Sequence, residues 1–357
     1  MASSLINTAN NPAWLEWMTT LVAGPSEEGV SRHTYAATLP PDRFYCVLDE
    51  LPVHLIPRRI FKSLQLEKDR RQLLYLNPEC IVCPDRELPD ELLSGRELLS
   101  GFALQGTMAW VRDPVTRTLL PFWLGPQLED VLCNLRSNEP VPSSVPDSVQ
   151  NLLVAADILI PEDRMNLRHQ QREEMIRKAS PSFREKGYAP LGGLIHPFHL
   201  AALRRYYRYL IRTGAIRLGD GQSPRRYVAY NEPVARFFHR DIAASLSAVA
   251  GQALKPSYVY MASYLSGAEL KKHTDREQCE FSVTLCLDFT PEPALETPWP
   301  IRLHTPTGKL TVYQALGDGL AYRGTRLPHY RDLLGEGQTS TSIFFHYVAA
   351  DFSGSLD

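Results

Sequence analysis

The alternation of apolar and polar positions changes character twice along the 357-residue chain. Over the first hundred residues, short apolar runs are broken by prolines and charges, as in "LPPDRFYCVLDELPVHLIPRR" and "RRQLLYLNPECIVCPD", and predict only a mixed α+β region. From 102 to 165 the pattern sharpens. "TMAWVRDPVTRTLLPFWL" predicts two strands around an Asp-Pro turn, "PQLEDVLCNLRSNEP" a helix, and "SVPDSVQNLLVAADILI" a helix running into a short strand. Residues 161–187 are almost wholly polar and predict a connecting helix or linker, which separates an N-terminal region (1–165) from the rest and extends over 166–196. Two amphipathic helices follow, 197–214 closing at Gly214 and 232–251 closing at Gly251, since glycine best takes the left-handed conformation of a helix C-cap. Beyond Gly251 the period becomes that of strands. "PSYVYMASYLS", "FSVTLCLDF", "PIRLHTP", "GKLTVYQA", "GLAYRG" and "STSIFFHYVAA", separated by Gly, Pro or charged turns, predict a sandwich or barrel.

Two strands, then helices, then a strand, over 102–165, is the order of a small winged-helix module. It resembles the precursor-peptide recognition domains attached to enzymes that modify ribosomally made peptides; a plain structural extension is the alternative.

Composition narrows the function classes. With 44% hydrophobic and 22% charged residues the chain is an ordinary globular mixture, long enough for one large domain or two to three smaller ones. A net charge of -2 provides no basic field to draw it onto phosphate backbones, so nucleic acid is not an expected partner. No apolar run approaches the roughly 20 residues that span a bilayer, and "MASSLINTANNPAWLEW" lacks a basic region followed by an apolar core, which points to a cytoplasmic protein without a membrane partner. Six cysteines are too sparse for a disulfide scaffold. Cys80 and Cys83 form a C-x-x-C, yet no second pair with finger-like spacing follows, and the intervening Ile81 and Val82 favour a buried strand over half a zinc site or a redox pair.

The chemistry concentrates in "KKHTDREQCE". His273 and Asp275 lie two apart, and residues at that spacing on a strand edge point the same way and can share a metal. A site that activates oxygen on non-haem iron needs two imidazoles and one carboxylate on one face of the metal. His329, in "GDGLAYRGTRLPHYRD" after an apolar strand and a Pro-containing turn, is the candidate third donor.

The order His-x-Asp, a β-rich stretch, "GDGLAYRG", "LPH" and a closing "STSIFFHYV" strand resembles the Fe(II)/2-oxoglutarate-dependent oxygenases, and within them the bacterial branch related to prolyl hydroxylases, over roughly 185–352. The resemblance implies an α+β protein with a double-stranded β-helix (jelly-roll) core and flanking helices at 197–357. It also implies Fe(II) held by His273, Asp275 and His329, with 2-oxoglutarate and O2 as co-substrates. An amino acid, free or within a peptide, is the implied substrate. Most of that family carries a base on the last strand for the distal carboxylate of 2-oxoglutarate, where this sequence has Gln338, Thr339 and Ser340. Arg331, two residues after His329, is the first substitute, followed by Arg323 on the same parity and Arg302 on the "PIRLHT" strand; Ser340 and Ser342 are weaker donors. Tyr258, Tyr260 and Tyr264 precede the His-x-Asp on a strand that would flank the metal, where a phenol can hydrogen-bond an oxo acid. Arg225, Arg226 and Asn231 are substrate-facing candidates. His304 and His346 have no partner at ligand spacing, and His196 and His199 are expected to pack against or cap a helix. Two rivals stay open, a cupin-type metalloenzyme that does not use 2-oxoglutarate and a non-catalytic peptide-binding protein. Oligomeric state is not encoded in these patterns.

Overall fold

The computed structural model describes residues 34–57, 73–161 and 168–356; the "MASSLINTANNPAWLEW" stretch and part of the polar segment, 162–167, lie outside them. The N-terminal region contains strands β1 (Leu74–Leu76), β2 (Cys80–Cys83), β3 (Met108–Arg112) and β4 (Leu119–Trp123), helices α1 (Pro126–Cys133) and α2 (Asp147–Ala155), and β5 (Leu159–Pro161). β2, β3 and β4 form an antiparallel sheet in that order, and β1 pairs with β5. The strand–strand–helix–helix–strand order predicted over 102–165 is therefore present. The expectation for the C-x-x-C strand needs correction. β2 is an edge strand, so Ile81 and Val82 are 42% and 36% exposed rather than sandwiched, and neither Cys80 nor Cys83 forms a disulfide among the described residues.

The polar segment from 168 is a single helix, α3 (Arg168–Lys186), followed by β6 (Tyr188–Leu191), α4 (Pro197–Arg212), β7 (Arg217–Leu218), β8 (Arg226–Tyr230) and α5 (Pro233–Ala250). Local chemistry starts both of the later helices. Pro197 and Pro233 occupy the first turn, where a missing N–H costs nothing, and the His196 ring accepts from Phe198 N at 3.2 Å. The Glu232 carboxylate accepts from Val234 N and Ala235 N at 3.1 and 2.9 Å, and also takes the hydroxyls of Tyr206 and Tyr207, which ties α4 to α5. α5 ends on Gly251 at φ 73°, as its sequence predicts.

Eight strands complete the chain: β9 (Leu254–Tyr264), β10 (Leu270–His273), β11 (Phe281–Thr290), β12 (Ile301–Thr305), β13 (Gly308–Val312), β14 (Gly319–Tyr322), β15 (His329–Arg331) and β16 (Thr339–Ala349). They divide between two antiparallel sheets, a seven-stranded one ordered β6-β14-β11-β16-β9-β8-β7 and a four-stranded one ordered β10-β15-β12-β13. Successive side chains of a strand face opposite ways. Along β11, Val283 and Leu285 join the apolar cluster shared with the helices, whereas Ser282 and Thr284 turn toward Asp275 and Tyr322.

That apolar cluster crosses the predicted boundary. Phe44 lies with its ring 5.1 Å from Phe102, 6.1 Å from Tyr206 on α4 and 6.0 Å from Phe238 on α5, and the same cluster continues to Val259, Phe281 and Phe345 in the large sheet. Arg204, fully buried on α4, bonds the backbone of Leu55 as well as Asp288 on β11 and Glu292. Among the described residues no helix is long and apolar enough to cross a membrane.

Candidate functional site

A cavity of about 420 Å³ opens between the two sheets. The short strand β10 brings His273 to its wall, and antiparallel pairing places His329 of β15 directly opposite. Their rings are 4.4 Å apart, and Asp275 completes the group: its Oδ1 stands 3.6 Å from His273 Nε2 and 3.5 Å from His329 Nε2. Asp275 lies past the end of β10, so strand geometry does not orient it. The turn around Gly324 does. Asp275 N donates to Gly324 O at 3.0 Å, and a Cβ at Gly324 would overlap Asp275 Oδ2.

The tautomers of both imidazoles are fixed from behind. Nδ1 of His273 lies 2.7 Å from Lys271 O, and Nδ1 of His329 lies 3.0 Å from Leu327 O. A carbonyl only accepts, so each Nδ1 carries the proton and each Nε2 presents a lone pair toward Asp275 Oδ1. Both gaps at Asp275 are too long for a good hydrogen bond, and three electron-pair donors face one point. Burial pushes the Asp275 carboxyl upward, but His273, His329 and His346 outweigh it and hold it below the usual carboxylate range. The Asp275 carboxylate raises His273, while burial lowers His329.

Behind Asp275 stands a group that linear spacing did not reveal. Ser282 Oγ donates to Asp275 Oδ2 at 3.2 Å and lies 2.9 Å from His346 Nδ1, and Cys279 Sγ is 3.0 Å from the Tyr258 hydroxyl. Burial takes His346 down to about 4, so its ring is neutral. The lack of a partner at ligand spacing held only along the chain. His346 meets Asp275 because β16 pairs with β11 in a register that sets His346 opposite Ser282.

The remaining candidates separate clearly. Tyr258, Tyr260 and Tyr264 all line the cavity. The Tyr260 hydroxyl donates to Asp220 and the Tyr264 hydroxyl accepts from Arg226 at 3.0 Å. Arg226 also lines the cavity, its guanidinium locked against Asp220 and Gln222. Against the upward pull of burial, Arg226 and Tyr260 hold Asp220 at about 2. Asp220 and Gln222 were not legible in the sequence, because they sit in a loop without a motif. Arg331 is buried, stacks on Trp299 at 4.8 Å, and donates to Trp299 O and to Gln314 Oε1 at 3.2 Å. Arg331 does not itself line the cavity: it stands behind the wall, with the cavity-lining Tyr264 and Tyr322 among its electrostatic neighbours, and no carboxylate pairs with it among the described residues.

Arg323 does not belong to this site. It packs on Phe183 and Phe281 on the helix side of the large sheet and pairs with Glu280 at 3.6 Å. The turn between β14 and β15 breaks the strand parity that suggested it. Arg302 pairs with Asp332 on the surface, Arg225 donates to Ser266 O, and Asn231 Oδ1 accepts from Val259 N. Ser340 and Ser342 are buried in β16, and His304 packs beside Tyr330. His196 and His199 bond the carbonyls of Ala155 and Pro121, as packing residues.

No protein-family model and no curated protein matches the chain. Solved structures resemble about half of it. A Pseudomonas putida prolyl-4-hydroxylase is 16% identical with a TM-score of 0.40, over 48% of this chain and 99% of that one. The non-heme alpha ketoglutarate dependent epimerase SnoN from nogalamycin biosynthesis is 15% identical with a TM-score of 0.42, over 50% of this chain and 82% of that one. A prolyl hydroxylase from Trichoplax adhaerens, in complex with a hypoxia inducible factor oxygen degradation domain peptide fragment, is 11% identical with a TM-score of 0.42, over 50% and 91%. At such identities and scores the likeness is partial, and the functional reading rests on the chain's own geometry.

Proposed function

We propose that the protein is an Fe(II)- and 2-oxoglutarate-dependent oxygenase that hydroxylates an amino acid, free or within a peptide. The observation that carries this reading is the convergence of two oriented Nε2 lone pairs on one carboxylate oxygen, at 3.6 and 3.5 Å, in the wall of a cavity. Two imidazoles and a carboxylate with open space beside them are the donor set of non-haem ferrous oxygenases. The strand orders agree with a double-stranded β-helix: β14-β11-β16-β9 in one sheet and β10-β15-β12-β13 in the other.

The residues present fit the metal, and Arg331, behind the cavity wall, is the proposed anchor for its co-substrate. His273, Asp275 and His329 would hold Fe(II). Arg331 would meet the distal carboxylate of 2-oxoglutarate, because a buried guanidinium without a carboxylate partner gains most from an anion that enters the cavity. Bound iron supplies the oxidation of a C–H bond by O2, coupled to decarboxylation of 2-oxoglutarate to succinate. The protein's own residues do the rest. Ser282 steadies the second oxygen of Asp275, Lys271 O and Leu327 O fix the imidazole tautomers, and the Tyr260–Asp220–Arg226 network forms part of the cavity wall. A cavity of about 420 Å³ has room for a small dicarboxylate and one amino-acid-sized group together.

The test is succinate formation from 2-oxoglutarate under Fe(II), with candidate amino acids and peptides. Arg331→Gln should raise the KM for 2-oxoglutarate ten- to a hundredfold, the equivalent of roughly 1.5–3 kcal/mol for one charge-assisted contact, while iron binding stays near normal. Iron-dependent oxidation without 2-oxoglutarate consumption would favour a cupin-type enzyme instead.

A further inference from the structure

We propose that Asp275, Cys279 and His346 form a second metal site, distinct in chemistry from the two-imidazole group, that takes a thiophilic divalent cation of the zinc class. Their ligand atoms all lie within 4.8 Å of one another. The set mixes sulfur, nitrogen and oxygen, the donors zinc prefers, whereas His273, Asp275 and His329 offer no sulfur.

The arrangement is built rather than incidental. Cys279 ends a helical turn at Glu277–Cys279, which returns the chain toward Asp275, and its side chain is buried. His346 Nδ1 and Asp275 Oδ2 both meet the Ser282 hydroxyl, which donates to the carboxylate and accepts from the ring. With Nδ1 carrying the proton, His346 Nε2 holds the lone pair, and no hydrogen bond reaches that atom among the described residues. A coordinating cation deprotonates a thiol outright, and the proton leaves through the adjoining cavity. Arg276, stacked 4.6 Å over the Tyr258 ring, adds a positive charge near the developing thiolate. Asp275 and His346 both line the cavity, so a fourth position is open to water or a ligand. Because Asp275 serves both groups, a cation here competes for the carboxylate that the other group needs.

Cobalt(II) distinguishes the sites without any assay of activity, since thiolate ligation adds an intense near-ultraviolet charge-transfer band that nitrogen and oxygen ligands do not. The full-length protein titrated with cobalt(II) should develop this band. The band should persist in His329→Ala and in the double variant Cys80→Ser/Cys83→Ser. In Cys279→Ser it should vanish, with near-ultraviolet circular dichroism in the metal-free state unchanged, and in His346→Gln the cobalt affinity should fall at least tenfold. No band in the parent protein, or an undiminished band in Cys279→Ser, overturns the proposal. Should Cys279→Ser fail to fold, an unchanged cobalt affinity in His346→Gln overturns it equally. Because His329→Ala is expected to keep this site and lose the other, a failed iron reading and a failed second site give different results.

Discussion

The two halves of the molecule share one apolar cluster but fill their interiors with different chemistry. In the N-terminal region the interior is aromatic. Phe44, Phe102 and Trp123 interlock with Phe237 and Phe238 of α5, and Trp123 Nε1 finds Ala103 O at 2.7 Å. Between the two sheets of the C-terminal half, apolar residues such as Leu303 and Leu320 share the interior with a polar set, His329, Arg331, Gln314, Thr284, Ser282 and His346, all buried. A space lined with this many donors and acceptors is a costly thing to fold around. The comparison teaches that the first half supplies apolar surface to hold α4 and α5 against the back of the large sheet, so that the front can carry chemistry. Residues 34–57 and 73–161 then belong to the scaffold whatever else they bind.

The sharpest cut between the halves is His329→Ala, which should abolish iron binding and turnover while the denaturation midpoint stays close to that of the parent; retained iron-dependent turnover would remove the site from this end of the molecule. The converse is Phe44→Ala. Deleting a fully buried phenyl ring should cost roughly 3–5 kcal/mol of stability, read by chemical denaturation, and leave metal affinity of the folded fraction unchanged. A drop in metal affinity equal to that of His329→Ala would dissolve the comparison.

A third test exploits a buried acid where the halves meet. Asp113, in the β3–β4 turn, accepts from Val115 N, Thr116 N and Thr116 Oγ1, yet burial, reinforced by Asp157, raises it to about 6. Burial also pushes the neighbouring Asp241 of α5 upward, with Asp113 adding to it. A raised acid binds more protons folded than unfolded, so its contribution is full at low pH and is lost as pH rises from about 4 through about 6, by roughly 3 kcal/mol. Asp113→Asn should flatten that part of the stability profile; an unchanged slope would show that the carboxylate is not responsible. The smallest effect belongs to Arg323→Met, expected to lose about 1 kcal/mol of stability with its stacking on Phe183 and Phe281. The KM for 2-oxoglutarate should not change, and a raised KM would return Arg323 to the cavity.

Legibility followed the range of the interaction. His273 and Asp275 were readable because their relation is local, and His329 because a strand, a Pro-containing turn and a histidine form a recognisable phrase. Helix ends were readable for the same reason: His196-Pro197, Glu232-Pro233 and Gly251 act within a turn of themselves. His346 and Cys279 were not, since they meet Asp275 through the β11–β16 register and a helical turn, neither of which leaves a spacing in the chain. Arg323 failed for a related reason, because parity carries along a strand but not around the turn that separates β14 from β15. Ile81 and Val82 look like core residues in sequence, and only the sheet order reveals that β2 is an edge.

β10 is the outermost strand of its sheet, and the histidine it carries is the most accessible of the three donors, with 30% of the side chain exposed against 3% for His329. Under the proposed function this sets an order of events for exchange with the surroundings. Fraying of a four-residue border strand frees His273 first, while His329 and Asp275, anchored deeper, keep hold. A chelator would then act by waiting on the border rather than by invading the interior, and the off-rate would track the opening of β10 more closely than the strength of any single bond.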